Sequence, residues 1–143
     1  MIVQLRKAEL GDVEYLTQLR LRTIHEHIRA AGTDLSLEEH ELRARTRLDC
    51  CSLLSVAGRT VGMIKIVRAR DSWTIEQLQV EPEFQRQGIG GAVVRQLQQE
   101  AKAAGVQLLL GVLRVNPAIR LYQRLGFREL GEANGIVEMA SAA

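Results

Sequence analysis

The stretch Val80-Glu-Pro82-Glu-Phe-Gln85-Arg86-Gln87-Gly88-Ile89-Gly90-Gly91 constrains the fold more than any other part of this chain. Residues 73–80, just before it, read as a strand. After it, Ile89, Val93, Leu97 and Ala101 recur at helical spacing, so an amphipathic helix runs from Gly88 to about Ala104. Residues 106–113 then read as a strand that is apolar on both faces, as central strands are. Strand, glycine turn, helix and buried strand in that order call for a sheet covered by helices.

The turn itself has two readings. Glycines let backbone approach a ligand closely and take positive φ, and a helix start offers unpaired N–H groups and a positive dipole end. Together these make a phosphate cradle, but they also suit a plain strand-to-helix turn. A triphosphate loop is excluded, because Gly-Lys-Ser/Thr is absent. The dinucleotide fingerprint is excluded too, because its third glycine would fall at Val93.

The rest of the chain supplies the other layers. Residues 2–7 alternate like a short strand. Asp12 is placed to cap a helix running to about Ala30, with Val13, Leu16, Leu19, Leu21, Ile24 and Ile28 as its apolar positions, and Gly32-Thr-Asp34 breaks it. Ser36 and Glu39 have capping-box spacing and open a second, more polar helix. Residues 51–56 and 60–68 are strands joined in a hairpin through Ala57-Gly58-Arg59. Asn116-Pro117 starts a short helix, Asn as N-cap and Pro at the first position. Residues 128–130 and 136–139 form a last strand pair around Glu132-Ala-Asn-Gly. The order β-α-α-β-β-β-α-β-α-β-β describes one mixed α/β (α+β) domain spanning 1–143.

Composition narrows the function. A chain of 143 residues, 46% hydrophobic and 25% charged, can build its own core and is neither disordered, collagenous nor coiled coil. No apolar run is long enough to span a membrane. Aromatics, at 3%, are too scarce for a base-stacking platform, which argues against nucleic acid as partner. Cys50 and Cys51 are adjacent and are the chain's only thiols, so a disulfide framework is excluded and a reducing, cytoplasmic setting is expected. Residues 1–50 carry eight Lys/Arg against nine Asp/Glu, whereas residues 85–128 carry seven basic residues against Glu100 alone. The basic stretch is either a solvated helix surface or a site for an anion. His25, His27 and His40 make no metal-ligand pattern and are expected to be solvent-facing or half-buried. Trp73 is expected to serve strand packing.

Two motifs in order point to a family. Leu78-Gln79-Val80, Pro82 and Gln85-x-x-Gly88-x-Gly90 resemble the acyl-CoA signature of the GNAT superfamily of N-acetyltransferases, and Leu121-Tyr122-Gln-Arg-Leu125-Gly126-Phe127 is similar to its second hallmark. The resemblance implies a mostly antiparallel central sheet of six to seven strands with helices on both faces, acetyl-CoA as cosubstrate and no metal. The pyrophosphate would rest on backbone N–H groups of Arg86, Gln87, Gly88, Ile89, Gly90 and Gly91, following Gln85. Pantetheine would add like a strand beside Leu78, Gln79 and Val80, where the fourth and fifth strands splay, with the Leu78 N–H aimed at the thioester oxygen. Asn116 matches an amide contact to pantetheine as well as an N-cap, although it stands six residues before Tyr122 where many members have seven.

For the chemistry, the resemblance makes Tyr122 the proton donor to the departing thiolate. As a residue of an amphipathic helix it is equally suited to half-buried packing. Glu76 lies two residues before Leu78, on the same strand face in the absence of a bulge, and is a candidate general base, an amine anchor or a solvated charge. The family reading is direct attack by a primary amine in a ternary complex. The alternative is a non-catalytic CoA-binding module on the same fold. The acceptor, a small amine or a protein amino group, carries no motif, but the slight acidity of the first two helices suits a cationic amine. Relatives often pair as homodimers.

Overall fold

The computed structural model describes residues 1–23 and 35–141. Seven strands form one sheet in the order β1-β2-β3-β4-β5-β7-β6. They are β1 (Gln4–Lys7), β2 (Cys51–Val56), β3 (Arg59–Arg68), β4 (Ser72–Val80), β5 (Gln107–Leu113), β6 (Phe127–Ala133) and β7 (Ile136–Ser141). Every neighbouring pair is antiparallel except β4 and β5, which run parallel. The mostly antiparallel mixed sheet expected from the sequence is therefore observed. Two hairpins close on two-residue turns, Ala57-Gly58 and Asn134-Gly135, in which all four residues have positive φ. That backbone matches the right-handed twist of the flanking strands.

Four helices are described: α1 (Val13–Thr23), α2 (Leu37–Arg45), α3 (Ile89–Ala104) and α4 (Ile119–Arg124). They cover both faces, because successive strand residues point to opposite sides. Leu53 and Met63 join Ala8, Leu16, Leu19 and Ala44 in the layer under α1 and α2. Their neighbours Leu54 and Ile64 join Val93, Leu97, Ile119 and Tyr122 in the larger core under α3 and α4. Gln98 ties that second layer together, its amide donating to the Leu125 carbonyl (3.0 Å) and the Ser141 hydroxyl (2.9 Å).

Several local expectations are met and others corrected. Ser36 and Glu39 make the capping box, the Ser36 hydroxyl accepting from the Glu39 N–H at 3.1 Å. Asp12 does not cap α1. It ends a short 3-10 turn begun by Glu9, whose N–H its carboxylate accepts at 2.8 Å, while Arg6 grips it at 3.0 and 3.2 Å. The helix after Asn116 starts at Ile119, not at Pro117, because the Asn116 side-chain oxygen takes the Ala118 N–H (2.9 Å) and spends two residues on a turn. His40 is fully buried, at 0% exposure, rather than facing solvent. Trp73 packs as expected in its strand, with the Arg68 guanidinium 4.8 Å from its ring centre. The predicted continuation of the first helix to Ala30, the break at Gly32-Thr-Asp34, and His25 and His27 lie outside the described residues.

Candidate active site

The parallel ladder between β4 and β5 ends at the pair Ile75 and Leu110, yet β4 continues to Val80 and β5 to Leu113. β5 keeps its other neighbour, since β7 pairs with it through Leu113. Beyond Ile75, one edge of β4 therefore faces a gap. The Glu81 N–H donates to the Val61 carbonyl at 2.8 Å, and the register runs two by two from there through Met63–Gln79. Antiparallel alternation then turns the Leu78 and Val80 amides away from β3, toward the gap. This is the splayed edge expected from the sequence.

The gap opens into a cavity of about 800 Å³ whose lining includes Thr74, Glu76, Leu78, Gln79, Asn116 and Tyr122, with Arg20 and Arg43 from α1 and α2. A second depression, of about 920 Å³, runs beside β1 and carries none of the residues selected from the sequence.

At the end of β4 the chain forms the cradle. Pro82–Phe84 is a 3-10 turn, Arg86 has φ +64° and Gly88 has φ +84°, and α3 begins at Ile89. Left-handed residues at this spacing curl successive amides toward one concavity. The N–H groups of Gly88, Ile89, Gly90 and Gly91 meet no acceptor among the described residues, and Ala92 is the first to bond back, to the Gly88 carbonyl at 3.0 Å. Four free donors stand at the positive end of a 16-residue helix, an arrangement that can hold an anion. The side chains of Gln85 and Gln87 serve the loop itself, donating to the Val80 (2.9 Å) and Glu83 (3.0 Å) carbonyls. Ile89 offers only its backbone, for its side chain is core at 3% exposure. Arg95 curls back over Gly91, its Nη2 3.5 Å from where a Cβ would stand. Arg114 does not belong to this basic surface, because Glu129 and Glu132 hold its guanidinium with four hydrogen bonds of 2.7–3.1 Å.

Tyr122 projects from α4 into the cavity wall, 6% exposed, its ring edge-on to Phe127 at 5.9 Å. Its hydroxyl has no hydrogen-bond partner among the described residues. Burial pushes its pKa up to about 12, so the phenol is protonated at neutral pH. Asn116 also lines the cavity. Its oxygen is used by the Ala118 N–H, which leaves the amide NH2 for a ligand.

Glu76 departs from expectation. Lys65 faces Gln77 while Ile66 faces Ile75, so Glu76 is the extra residue of a bulge and does not share the pleat of Leu78. The bulge keeps Ile75 in the core, at 2% exposure. It leaves the Glu76 carboxylate in the cavity lining, gripped by Arg47 at 2.6 Å.

Sequence reasoning missed two arrangements. Glu81, the residue entering the cradle, accepts from Arg22 at 2.9 Å through each carboxylate oxygen and from the Tyr15 hydroxyl at 2.8 Å, fastening α1 to the loop. Arg22 holds the Glu81 carboxyl below its ordinary pKa, and burial with the Glu81 contact pushes the Tyr15 phenol up. No short-range pattern links residues 66 positions apart. The other is Arg20, buried at 2% exposure in the cavity wall. A signal for it existed, because Arg20 stands at the apolar spacing of Val13 and Leu16.

Comparison with known proteins bears on the family and the fold. The ribosomal protein bS18 alanine N-acetyltransferase of Escherichia coli K12 is 39% identical over 61 residues, 41% of this chain and 41% of that protein. A thialysine N-epsilon-acetyltransferase of Sus scrofa is 38% identical over 71 residues, 45% of this chain and 42% of that protein. The matches thus span about two-fifths of either relative. Among solved structures, a PaiA N-acetyltransferase from Thermoplasma acidophilum in complex with coenzyme A superposes with a TM-score of 0.77 at 17% identity, covering 100% of both chains. The ribosomal-protein-S18-alanine N-acetyltransferase from E. coli does so at 0.71 and 24% identity, covering 99% of this chain and 96% of that one. These likenesses show the fold. Residues 49–129, from the end of the loop before β2 into β6 and so through both motifs, the cradle and Tyr122, match the acetyltransferase (GNAT) domain, and the chain belongs to that family.

Proposed function

We propose that this protein moves an acetyl group from acetyl-CoA to a primary amine by direct attack in a ternary complex. One observation carries the reading. The outward amide of Leu78 and the hydroxyl of Tyr122, unpartnered among the described residues, share one cavity, and Gly90, among the free amides that open α3, stands beside Leu78. The residues fit the cosubstrate. Backbone N–H groups of residues 86–91 would hold its pyrophosphate, with Arg86 and Arg95 alongside, and the free edge of β4 at Leu78, Gln79 and Val80 would take the pantetheine with Asn116 opposite.

The chain's own groups then cover the proton movements. Leu78 N–H donates to the oxygen that gains charge as the new C–N bond forms. Tyr122 gives its proton to the sulfur as the C–S bond breaks, and recovers one from solvent. Glu76, directly or through a water, takes the proton that the amine loses. The relatives' names supply two kinds of amine, a protein alanine and a lysine analogue. The acceptor here is a separate question. Among the described residues no helix is long and apolar enough to cross a membrane, and the two free cysteines suit the reducing cytoplasm.

The grip of Arg47 on Glu76 favours a second reading, a CoA-binding module without turnover. Thiol release from acetyl-CoA across a panel of amines separates the two. Release that depends on an amine supports the enzyme. A rise in melting temperature with acetyl-CoA, but no release with any amine class, supports the module. No rise at concentrations far above a plausible Kd refutes both.

A further inference from the structure

The cavity holds a charge that acetyl transfer does not use. Arg20 lines it from α1 at 2% exposure, and its Nε donates to the His40 ring at 3.4 Å. Neither Nη1 nor Nη2 has a hydrogen-bond partner among the described residues. No carboxylate among the described residues pairs with it. The Glu76 carboxylate in the same lining is taken by Arg47, and the charges that act on Arg20, those of Arg43 and Lys65, are of the same sign. A guanidinium withdrawn from water without a counter-charge destabilises the protein that keeps it.

A second orphan stands in the same lining. Gln79, 3% exposed, has a buried Oε1 that accepts from none of the described residues, while its amide NH2 makes a long bond of 3.5 Å to Gln77. The cavity therefore leaves a cationic fork without an acceptor and a carbonyl without a donor.

We propose that Arg20 anchors a carboxylate of the acceptor, so that the substrate class is a small amino acid rather than a simple or cationic amine. Two Nη donors match the two oxygens of a carboxylate in a bidentate pair. Gln79 Oε1 takes an N–H of the same molecule. A free amino acid presents a carboxylate and an N–H within a few bonds of each other. A peptide N-terminus does not, because the carboxyl group next to its amine is already an amide. The Nη atoms are closed to solvent, so binding shifts side chains around them, a change of the ordinary kind. The sign of this buried charge is opposite to what a cationic acceptor would need. The inference rests on the acetyl-transfer reading above.

The test uses the full chain with acetyl-CoA and matched acceptors: free amino acids, their carboxamides, the corresponding decarboxylated amines, and short peptides beginning with the same residues. The expected result is a kcat/KM for the acid at least about 100-fold above that for its carboxamide, because a site built for a polar group strongly rejects the analogue lacking it. Arg20→Met should bring that ratio toward one by lowering the acid's kcat/KM, without lowering the melting temperature. Arg20→Lys, which keeps the charge but not the fork, should give an intermediate ratio and serves if the Met variant does not fold. In parallel, the free amino acid should raise the melting temperature of the CoA-saturated protein more than its carboxamide does, and less so in the variants. A wild-type ratio near one, a preference for the peptides, or a ratio that survives in both variants overturns the anchor while leaving acetyl transfer standing. Absence of any acetyl-CoA effect on melting overturns both.

Discussion

Leu121 lies against Gly90: a Cβ built on Gly90 would stand 3.5 Å from Leu121 Cδ2 and 3.9 Å from Leu78 Cδ2. The glycine cradle, the splayed strand and the helix bearing Tyr122 thus meet at one residue. A single methyl group fits there at ordinary contact distance. Gly90→Ala should therefore fold normally, whereas the branched side chain of Gly90→Val must push into Leu121 and Leu78 beside the free amides. The expected result is a folded Gly90→Val protein, by circular dichroism, whose melting temperature no longer responds to acetyl-CoA. A response equal to that of wild type would remove the cradle assignment.

Tyr122→Phe keeps the ring that packs on Phe127 and removes only the proton. Turnover should fall by about 100-fold or more, the usual scale of general acid catalysis, while acetyl-CoA affinity changes little. Equal losses in turnover and affinity would make Tyr122 a binding residue, and an unchanged kcat would make it a packing residue.

Burial raises the Tyr122 pKa from 10.0 to about 12, so the folded state holds this proton at pH values where the unfolded chain has released it. Stability from this group is complete below about pH 10 and declines as pH rises toward about 12. Thermal melts across that window should show a steeper alkaline decline for wild type than for Tyr122→Phe. Glu81 behaves in the opposite sense, because its pKa is lowered by Arg22. Its contribution is present at neutral pH and is lost as pH falls through and below the ordinary carboxylate range. Glu81→Gln should flatten that acid limb, and identical acid limbs would show that the tie to α1 contributes nothing.

A Cβ on Gly62 would collide with the backbone carbonyl oxygen of Gln79, an atom that no side-chain rotation can move away. Gly62→Ala should cost about 1–3 kcal/mol in denaturant unfolding. It should also weaken acetyl-CoA binding, because the strand it displaces carries Leu78 and Val80. Wild-type stability would mean that β3 and β4 can separate freely.

Glu76→Gln removes the candidate base but keeps its shape. A fall in kcat of about 10-fold or more, with acetyl-CoA affinity intact, is expected if the carboxylate accepts the amine proton, since a positioned base is worth at least that much. An unchanged kcat would pass the role to water and leave Glu76 as the partner of Arg47.

Local pattern was enough wherever backbone chemistry is local. Ala57-Gly58-Arg59 and Glu132-Ala-Asn-Gly read as hairpin connections, and the structure narrows the turns to Ala57-Gly58 and Asn134-Gly135, all at positive φ. Ser36 and Glu39 read as a capping box because its bonds span three residues. The glycines at 88, 90 and 91 read as a helix start able to hold an anion, and the order of motifs placed Tyr122 on the helix that packs against it. The start of α4 was missed by two residues, because an Asn side chain can bond the second residue on as readily as cap a helix.

What only the tertiary structure decided depends on partners distant in the chain. The bulge at Glu76 is set by the joint register of β3 and β4, which neither strand specifies alone. Arg114 was drawn out of the basic surface by Glu129 and Glu132, across the strands. Glu81 is held by residues of α1, and Arg20 is enclosed by the packing of α1 and α2 over the sheet. Hydrophobic spacing places a side chain on a buried face but does not say whether a counter-charge waits there. That depends on which elements meet, and in this protein none of the described residues supplies one.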